Sequence, residues 1–323
     1  MSTELSENDL QQILSFTVTL ARKAGALILE GSEAIQSAPA KDINEKKNSV
    51  DLVTEYDVRV EELVKKELGE KYPEFKFIGE ESYAAGARPE LTDVPTFCVD
   101  PIDGTTNFVH GFPFVCISLG LIYKQRPVLG VIYNPFLDHL YTGIKGQGSY
   151  LTRNSKTPVK LPLAVPKPLP SLSQALIAVE WGSDRTKKAI DGKGNSFKRL
   201  AVDGAEIVGG KMAHSLRSIG SAALNFAMVA QGGLDLYWEI GCWEWDVCAG
   251  IVIAEEAGGI VTGSVDKSKL AKDGAFDVTP DVLTGRKYLV VRAIRGEEGE
   301  ADLDAQKRIV EEFYECVADI DID

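Results

Sequence analysis

The sequence predicts an α/β fold, and three observations carry this prediction. Apolar residues near the amino terminus recur at helical spacing after Ser6. The middle of the chain is a series of short apolar segments joined by tight connections, which is typical of antiparallel strands. Beyond about residue 171, strand-like and helix-like segments alternate, as they do in α/β proteins.

The first half is predicted to contain two helices followed by strands. The apolar stripe of the first helix consists of Leu10, Ile13, Leu14, Ala24, Leu27 and Ile28. A second helix is predicted after Asp57, with Val60, Leu63, Val64 and Leu68 on its apolar side. The predicted strands are Phe75 to Ile78, Thr96 to Val99, Val115 to Tyr123, Pro127 to Tyr133 and His139 to Thr142.

The second half is predicted to alternate between strands and helices. The strands are Ala175 to Glu180, Asp235 to Glu239 and Gly259 to Thr262, and the helices are Ser221 to Gln231 and Val247 to Ala257. The long, Gly- and Lys-rich stretch from Trp181 to Met212 is interpreted as an enlarged surface loop. The acidic segments from Glu297 to Asp304 and from Ala318 to Asp323 are interpreted as a solvated tail.

Composition favours a globular cytoplasmic protein. The 323 residues carry 48 acidic and 35 basic side chains, a net charge of −13 without basic runs, which disfavours binding to nucleic acid or to an anionic membrane. Met1 to Leu10 lacks the features of a signal peptide, and no apolar run is expected to span a bilayer. Five cysteines and three histidines form no zinc signature, so free and mostly buried thiols are expected.

The most informative stretch is DPIDGTTN, from Asp100 to Asn107, which follows a short apolar strand. Pro101 biases the preceding residue toward an extended conformation, so that the Asp100 side chain and the Ile102 carbonyl can point toward one small volume. Oxygen ligands of this kind suit hard cations such as magnesium. Gly104 permits a tight turn whose amides can donate to an anion, and the stretch therefore predicts a metal and phosphate site.

Two further acidic motifs support that interpretation. Glu80 lies in the motif GEES, directly after the predicted strand that ends near Ile78. Asp246 lies in WEWD, just before an apolar helical run, where an acidic residue more often caps a helix than binds a metal. Asp-Gly and Asp-Pro also occur in ordinary turns. The combination of these motifs, rather than any one of them, indicates a functional site.

Together the motifs resemble those of the inositol monophosphatase family of magnesium-dependent, lithium-sensitive phosphatases. The matching segments are DLVTEYD from Asp51, GEES from Gly79, DPIDGTTNFVH from Asp100, GSAALN from Gly220 and WDVCAG from Trp245. The resemblance implies an α-β-α-β-α sandwich of the inositol monophosphatase and fructose-1,6-bisphosphatase type. The resemblance covers roughly 8–295, which is expected to form one catalytic domain with halves at about 8–170 and 171–295. Residues 296–323 are expected to form an acidic helix and tail.

The resemblance also implies site roles, which are expectations here. Glu80, Asp100 and the Ile102 carbonyl hold one Mg²⁺, whereas Asp100, Asp103 and Asp246 hold a second, and Glu80 contributes to a weaker third. Water activated by metal, Glu80 and the Thr105–Asp57 pair attacks the phosphate ester. The substrate-binding residues are Asp103, Gly104, Thr105, Ala222, Glu239 and Asp246, and Lys46 lies on a mobile loop.

Physical arguments qualify this set. Two like charges about 4 Å apart repel by roughly 4 kcal/mol at an effective dielectric near 20, so converging carboxylates need cations or protons. Asp57 follows Thr54 by three residues and is compatible with a helix-capping role as well. Glu239 has the charge to accept hydrogen bonds from neighbouring polyol hydroxyls. Its alternative is an exposed residue at a strand end, and for Lys46 the alternative is a solvated loop charge.

Three functional hypotheses follow. The first is Mg²⁺-dependent hydrolysis of myo-inositol monophosphate to myo-inositol and phosphate by a homodimer. The second keeps the chemistry but changes the ester to a sugar phosphate, histidinol phosphate or nucleotide 3′-phosphate, or places the chain among quinate-linked relatives. The third is a regulatory binding protein on this scaffold, which the intact set of carboxylates disfavours.

Overall fold

The chain forms two compact units in a computed structural model that describes residues 4–37, 44–45, 52–86, 90–266 and 276–320. Unit 1 contains Met1–Lys160, Gly220–Ala227 and Glu244–Glu256, and unit 2 contains Leu161–Ile219, Met228–Trp243 and Ala257–Asp323. Two segments from the later half of the chain therefore belong to unit 1. The two units are defined by which residues contact one another. The predicted division into halves at about residue 170 is a separate statement and stays a prediction.

The described residues form the following helices and strands. The helices are α1 (Glu7–Ser37), α2 (Glu55–Lys71), α3 (Glu80–Ala84), α4 (Thr105–His110), α5 (Lys187–Ala201), α6 (Ala222–Ala230), α7 (Glu244–Glu256), α8 (Pro280–Leu283) and α9 (Asp302–Cys316). The strands are β1 (Asn44–Glu45), β2 (Leu52–Val53), β3 (Lys76–Gly79), β4 (Thr96–Asp103), β5 (Cys116–Tyr123), β6 (Arg126–Asn134), β7 (His139–Ile144), β8 (Gly148–Arg153), β9 (Val159–Lys160), β10 (Leu176–Val179), β11 (Ser215–Arg217), β12 (Leu236–Ile240), β13 (Ile260–Thr262) and β14 (Lys287–Val291). The predicted α/β class is confirmed.

Each unit is organised around one sheet. In unit 1, strands β3 to β9 follow one another in chain order across the sheet, and only β3 and β4 pair in parallel. In unit 2 the order is β11-β10-β12-β14-β13, with β10 parallel to both of its neighbours and β14 antiparallel to both of its own. The expected antiparallel sheet is therefore confirmed for β4 to β9.

Helix α1 is a core helix of unit 1. Its buried residues include Ile13, Leu20, Ala24 and Ile28, which join the apolar cluster formed with α2, β4, β5 and β6. By length and composition alone α1 is also apolar enough to cross a membrane. The burial of this face within unit 1 is typical of a core helix, and it accounts for the apolar spacing after Ser6.

A row of glycines seats α7 on the sheet of unit 1. Gly120, Gly130 and Gly143 lie opposite one another on β5, β6 and β7. A Cβ atom at Gly130 would lie 2.3 Å from the Ala249 carbonyl oxygen, and one at Gly120 would lie 2.4 Å from the Cys248 sulfur. The helix backbone can approach the sheet this closely only because the side chains are absent. The row therefore fixes the position of α7, which carries Asp246.

Two sequence-based interpretations are wrong. The stretch from Trp181 to Met212 is not a loop throughout, because α5 occupies residues 187–201 and buries Ala189, Lys193, Ser196 and Leu200. The carboxyl-terminal segment is not wholly solvated, because Ile320 is 4% exposed and joins the core of unit 2. Residues 321–323 lie outside the described residues. All five cysteines are free and four are buried, as expected.

Replacing Gly130 with alanine is expected to destabilise the protein by about 1–3 kcal/mol, because the new methyl group would overlap the Ala249 backbone. The measurement is the free energy of unfolding from urea denaturation. The matched control is Gly69→Ala in α2, where nothing lies within 4 Å of the added Cβ and helix propensity predicts a gain of about 0.5–1 kcal/mol. Equal stabilities for the two variants would contradict the proposed seating of α7.

Candidate metal centre

An irregularity in β4 brings two carboxylates to the same place. Asp100 pairs with Ser118 and Asp103 pairs with Cys116, so three steps along β4 correspond to two along β5. In a regular strand, residues three apart point to opposite faces of the sheet. The extra residue on β4 cancels this alternation and allows both aspartates to face one volume. The strand also extends through Asp103, beyond the predicted end at Val99.

Asp103 is held at the start of α6 by several donors. Its carboxylate accepts hydrogen bonds from the Ser221 hydroxyl (2.5 Å) and from the backbone amides of Ala222 (3.1 Å) and Ala223 (2.8 Å). The Cys116 thiol lies 3.5 Å away. Asp103 is 6% exposed, and burial raises its pKa to about 6 despite these donors. The Ala222 amide, expected at the substrate, thus donates to this aspartate.

Asp246 completes a cluster of three acids. It lies in the first turn of α7, as predicted, and one oxygen from each of Asp100, Asp103 and Asp246 falls within 4.8 Å of the other two. Asp100 is 2% exposed. Burial, followed by the charges of Glu80, Asp103 and Asp246, raises the pKa of Asp100 well above its ordinary value. The three acids are therefore unfavourable together unless protons or cations neutralise them.

Glu80 approaches the cluster from α3 and is half-buried. Its position depends on Glu61 of α2, which sequence reasoning missed. The Glu61 carboxylate is 3% exposed and accepts bonds from the amides of Glu81 and Ser82, both at 2.7 Å, and from the Ser82 hydroxyl at 2.5 Å. A signal was present, since residues 57, 60, 61, 64 and 68 form the buried side of α2 and Glu61 is an acid among them.

Asp57 caps α2 and also contacts Thr105. One carboxylate oxygen accepts the Thr54 amide at 2.8 Å and the Thr54 hydroxyl at 2.6 Å, which closes a capping box at the start of α2. The other oxygen lies 3.2 Å from the Thr105 hydroxyl, which is also 3.2 Å from the Ile102 carbonyl oxygen. The predicted second helix therefore begins at Glu55, two residues before Asp57.

Gly104 makes the turn that precedes α4. Its φ angle is +93°, and a Cβ there would lie 2.9 Å from the Phe114 carbonyl oxygen. Both the left-handed backbone and the close approach require glycine at this position. The turn places Thr105 beside Asp57 and allows the chain to reverse after Asp103.

Two predicted residues remain, Glu239 and Lys46. Glu239 belongs to unit 2, where it is 5% exposed on β12, so the alternative of an exposed residue at a strand end is wrong. Its carboxylate accepts bonds from the Tyr237 hydroxyl (2.9 Å) and the Ile240 amide (2.8 Å). Burial raises its pKa to about 7. Lys46 lies outside the described residues.

The donor set fits a hard divalent cation. The converging groups are carboxylates, the Ile102 carbonyl lies beside them in β4, and no histidine or cysteine belongs to the three-residue cluster among the described residues. Burial and then repulsion from the neighbouring acids raise the Asp100 pKa, and a bound cation would reverse that repulsion. The arrangement is that of a metal-dependent site.

Comparison with known proteins identifies the family of the chain. The model of the inositol monophosphatase family matches residues 9–311. Inositol monophosphatase 2 of Saccharomyces cerevisiae is 44% identical, over 85% of each chain. The quinic acid degradation cluster protein x of Neurospora crassa is 36% identical, over 99% of this chain and 98% of its own. The chain belongs to the inositol monophosphatase family, whose members are metal-dependent, and it is a phosphatase.

Solved structures support the same conclusion about the fold. The inositol monophosphatase from Anabaena has a TM-score of 0.66 and 28% identity, over 94% of this chain and 96% of its own. The predicted fold of the inositol monophosphatase type is thereby confirmed.

Asp246→Asn is expected to lower kcat/KM by roughly 100-fold or more, because it removes one of three converging charges while hardly changing volume. Mg²⁺ titrations of activity and calorimetric titration of the metal measure the effect. Glu244→Gln is the control, since it removes an acid from the same helical turn outside the cluster. The only effect of either variant could instead be a loss of about 0.3–1 kcal/mol of stability, the size expected for a charge at a helix terminus. Asp246 would then act as a helix-terminal acid alone.

Glu61→Gln is expected to weaken Mg²⁺ binding by roughly 10- to 100-fold, because an amide cannot accept all three hydrogen bonds that hold α3. The same metal titration measures it. Glu62→Gln provides a matched control at the adjacent, exposed position. If the Glu61→Gln enzyme is less stable but binds Mg²⁺ as tightly as the control, the contribution of α3 to Mg²⁺ binding does not depend on the Glu61 carboxylate.

Proposed function

We propose that this phosphatase hydrolyses myo-inositol monophosphate to myo-inositol and phosphate with Mg²⁺. The observation that carries the proposal is the convergence of Asp100, Asp103 and Asp246 in a chain whose curated relatives include inositol monophosphatases. Oxygen ligands and the small spacing suit Mg²⁺ better than a softer metal. The substrate is a small phosphorylated polyol.

The metal-binding residues are assigned to two or three ions. Glu80, Asp100 and the Ile102 carbonyl hold the first, Asp100, Asp103 and Asp246 the second, and Glu80 contributes to a weaker third. When bound, the ions supply charge neutralisation and acidify water for attack on phosphorus. The donors around Asp103 support this assignment, because they fix its carboxylate without adding a charge that would replace the cation.

The protein's own groups then orient the reactants. The Thr105 hydroxyl donates its hydrogen to Asp57. The lone pairs of the Thr105 oxygen are then available to accept a hydrogen bond from the attacking water. Glu80 accepts the second hydrogen bond of that water. The backbone amides of Gly104 and Thr105 donate to phosphoryl oxygens, and a water near Asp246 protonates the departing alkoxide. Glu239 accepts hydrogen bonds from polyol hydroxyls.

A second candidate keeps this chemistry and changes the ester. A relative named for quinic acid degradation covers 99% of this chain, whereas inositol monophosphatase 2 of Saccharomyces cerevisiae covers 85%. The greater coverage supports a substrate from a different class of phosphorylated small molecules. We place it second because 44% identity to the inositol monophosphatase exceeds 36% to the quinic acid relative.

We also propose a cytoplasmic location and assembly into a homodimer. The free cysteines favour a reducing compartment. The acidic composition argues against binding nucleic acid or an anionic membrane. The dimer rests on the family resemblance alone. Sedimentation equilibrium is the direct measurement of assembly.

Phosphate release from a panel of monoesters tests the function. Inositol 1-phosphate is expected to give the highest kcat/KM, to require Mg²⁺ and to be inhibited by Li⁺, which competes at the second cation position. The other esters are histidinol phosphate, fructose 1,6-bisphosphate and adenosine 3′,5′-bisphosphate, and a chelator provides the blank. Preference for another ester would move the substrate and keep the mechanism, whereas no Mg²⁺-dependent release from any ester would favour the regulatory alternative.

A further inference from the structure

Helix α5 of unit 2 carries a lysine on its buried face. Ala189, Lys193, Ser196 and Leu200 share that face, and Lys193 is 2% exposed. A charged ammonium group at an apolar-face position is unfavourable unless hydrogen bonds and an opposite charge compensate it. Sequence reasoning placed Lys193 in a surface loop, where it would be solvated. The burial of Lys193 therefore requires compensating groups around its ammonium.

Lys193 is fastened next to Glu239. Its Nζ atom donates to the carbonyl oxygens of Trp181 (2.8 Å) and Ile240 (3.1 Å), and Ile240 directly follows Glu239 on β12. The two carbonyls orient the ammonium group but leave its charge unbalanced. The Glu239 carboxylate supplies the opposite charge, and the ammonium lowers the pKa of that carboxyl while burial and Glu180 raise it to about 7.

Gly182 lies beside both of these groups. A Cβ at this position would lie 3.1 Å from Lys193 Nζ and 3.9 Å from Glu239 Oε1. The residue also has a φ of +64°, where a side chain is strained. Any other residue here would place a carbon atom beside both the ammonium and the carboxylate.

Glu180 adds a second buried carboxylate to the same group. It lies just after β10, is 8% exposed and accepts bonds from the Ser218 hydroxyl (2.7 Å) and the Ile219 amide (2.8 Å). The negative charge of Glu180 repels that of Glu239 and raises the Glu239 pKa. The group thus contains two acids and one base, and removal of Lys193 would take away the cation that faces Glu239 while the like charge of Glu180 stays beside it.

We propose that Lys193 is a positioning residue for substrate specificity, which holds the Glu239 carboxylate as an oriented acceptor for neighbouring hydroxyls of a polyol phosphate. The inference rests on the proposed function, in which Glu239 contacts the polyol. A protonated carboxyl presents a donor and loses acceptor capacity, so a higher Glu239 pKa weakens polyol binding at neutral pH. Lys193 thereby acts on binding of the polyol and not on the chemistry at phosphorus.

The expected pH dependence follows from the groups that face Glu239. These are Lys193 on α5, Glu180 after β10 and Tyr237 on β12, and Cys242 after β12 acts in turn on Tyr237. Loss of the ammonium charge raises the Glu239 pKa above about 7. The pH at which polyol binding reaches its plateau should therefore move to the alkaline side in the variant.

The test compares Lys193→Met and Lys193→Gln with Lys198→Met, which removes an exposed lysine from the same helix. kcat and KM are measured between pH 6 and 9 with Mg²⁺ for inositol 1-phosphate and for p-nitrophenyl phosphate, an ester that has no hydroxyl groups. We expect KM for inositol 1-phosphate to rise about tenfold at pH 7, equivalent to about 1.4 kcal/mol, with an alkaline shift of the profile. The kinetic constants for p-nitrophenyl phosphate should stay within about twofold.

The outcomes separate the two claims. If the wild-type enzyme shows no preference for inositol 1-phosphate over the hydroxyl-free ester, the proposed function and this inference both fall. If the preference exists and both Lys193 variants match Lys198→Met, only the role of Lys193 is overturned. Equal losses on both esters would show a merely structural role and also overturn it. The Gln variant retains hydrogen-bond donors, so it distinguishes loss of charge from loss of the bonds to Trp181 and Ile240.

Discussion

Mutual repulsion among Asp100, Asp103 and Asp246 is the constraint on which the rest of unit 1 depends. Their oxygens lie within 4.8 Å of one another, and two of the three side chains are almost fully buried. Water cannot screen charges in such a place, so folding alone does not favour this arrangement. The surrounding structure must hold the acids together, and protons or a cation must neutralise them to make the arrangement favourable. The stability of the protein and its chemistry are thus linked at one point.

Several local features hold the acids in place. The irregularity in β4 turns Asp103 to the side of Asp100, and the amides at the start of α6 then fix it. The glycine row on β5, β6 and β7 lets α7 approach the sheet and deliver Asp246. Glu61 fastens α3 at the position from which Glu80 acts on Asp100. Each of these features decides where one of the acids lies.

The sequence was sufficient for the elements whose local signals agree with their environment. The apolar spacing of α1, the alternating strands of unit 1 and the acidic first turn of α7 all appear where predicted. Helix α5 was missed because Gly192 and Gly194 interrupt its pattern and Lys193 occupies a buried position. The burial of Lys193 is favoured by hydrogen bonds to the carbonyl oxygens of Trp181 and Ile240. These partners lie too far away in the sequence for a local pattern to indicate them.

The candidate site shows the same division. The residue types DPIDG and GEES identify oxygen ligands, because hard-cation chemistry restricts which side chains can serve. The irregular pairing of β4, the contacts of Glu61 and the bond from Ser221 to Asp103 depend on pairing between segments far apart in the chain. The repulsion among the three acids is tested by the thermal stability of wild-type and Asp100→Asn protein with chelator and with Mg²⁺. We expect Asp100→Asn to be more stable than wild type without metal, and only wild type to gain stability from Mg²⁺. Equal stability of the two without metal, together with an equal response to Mg²⁺, would contradict this expectation.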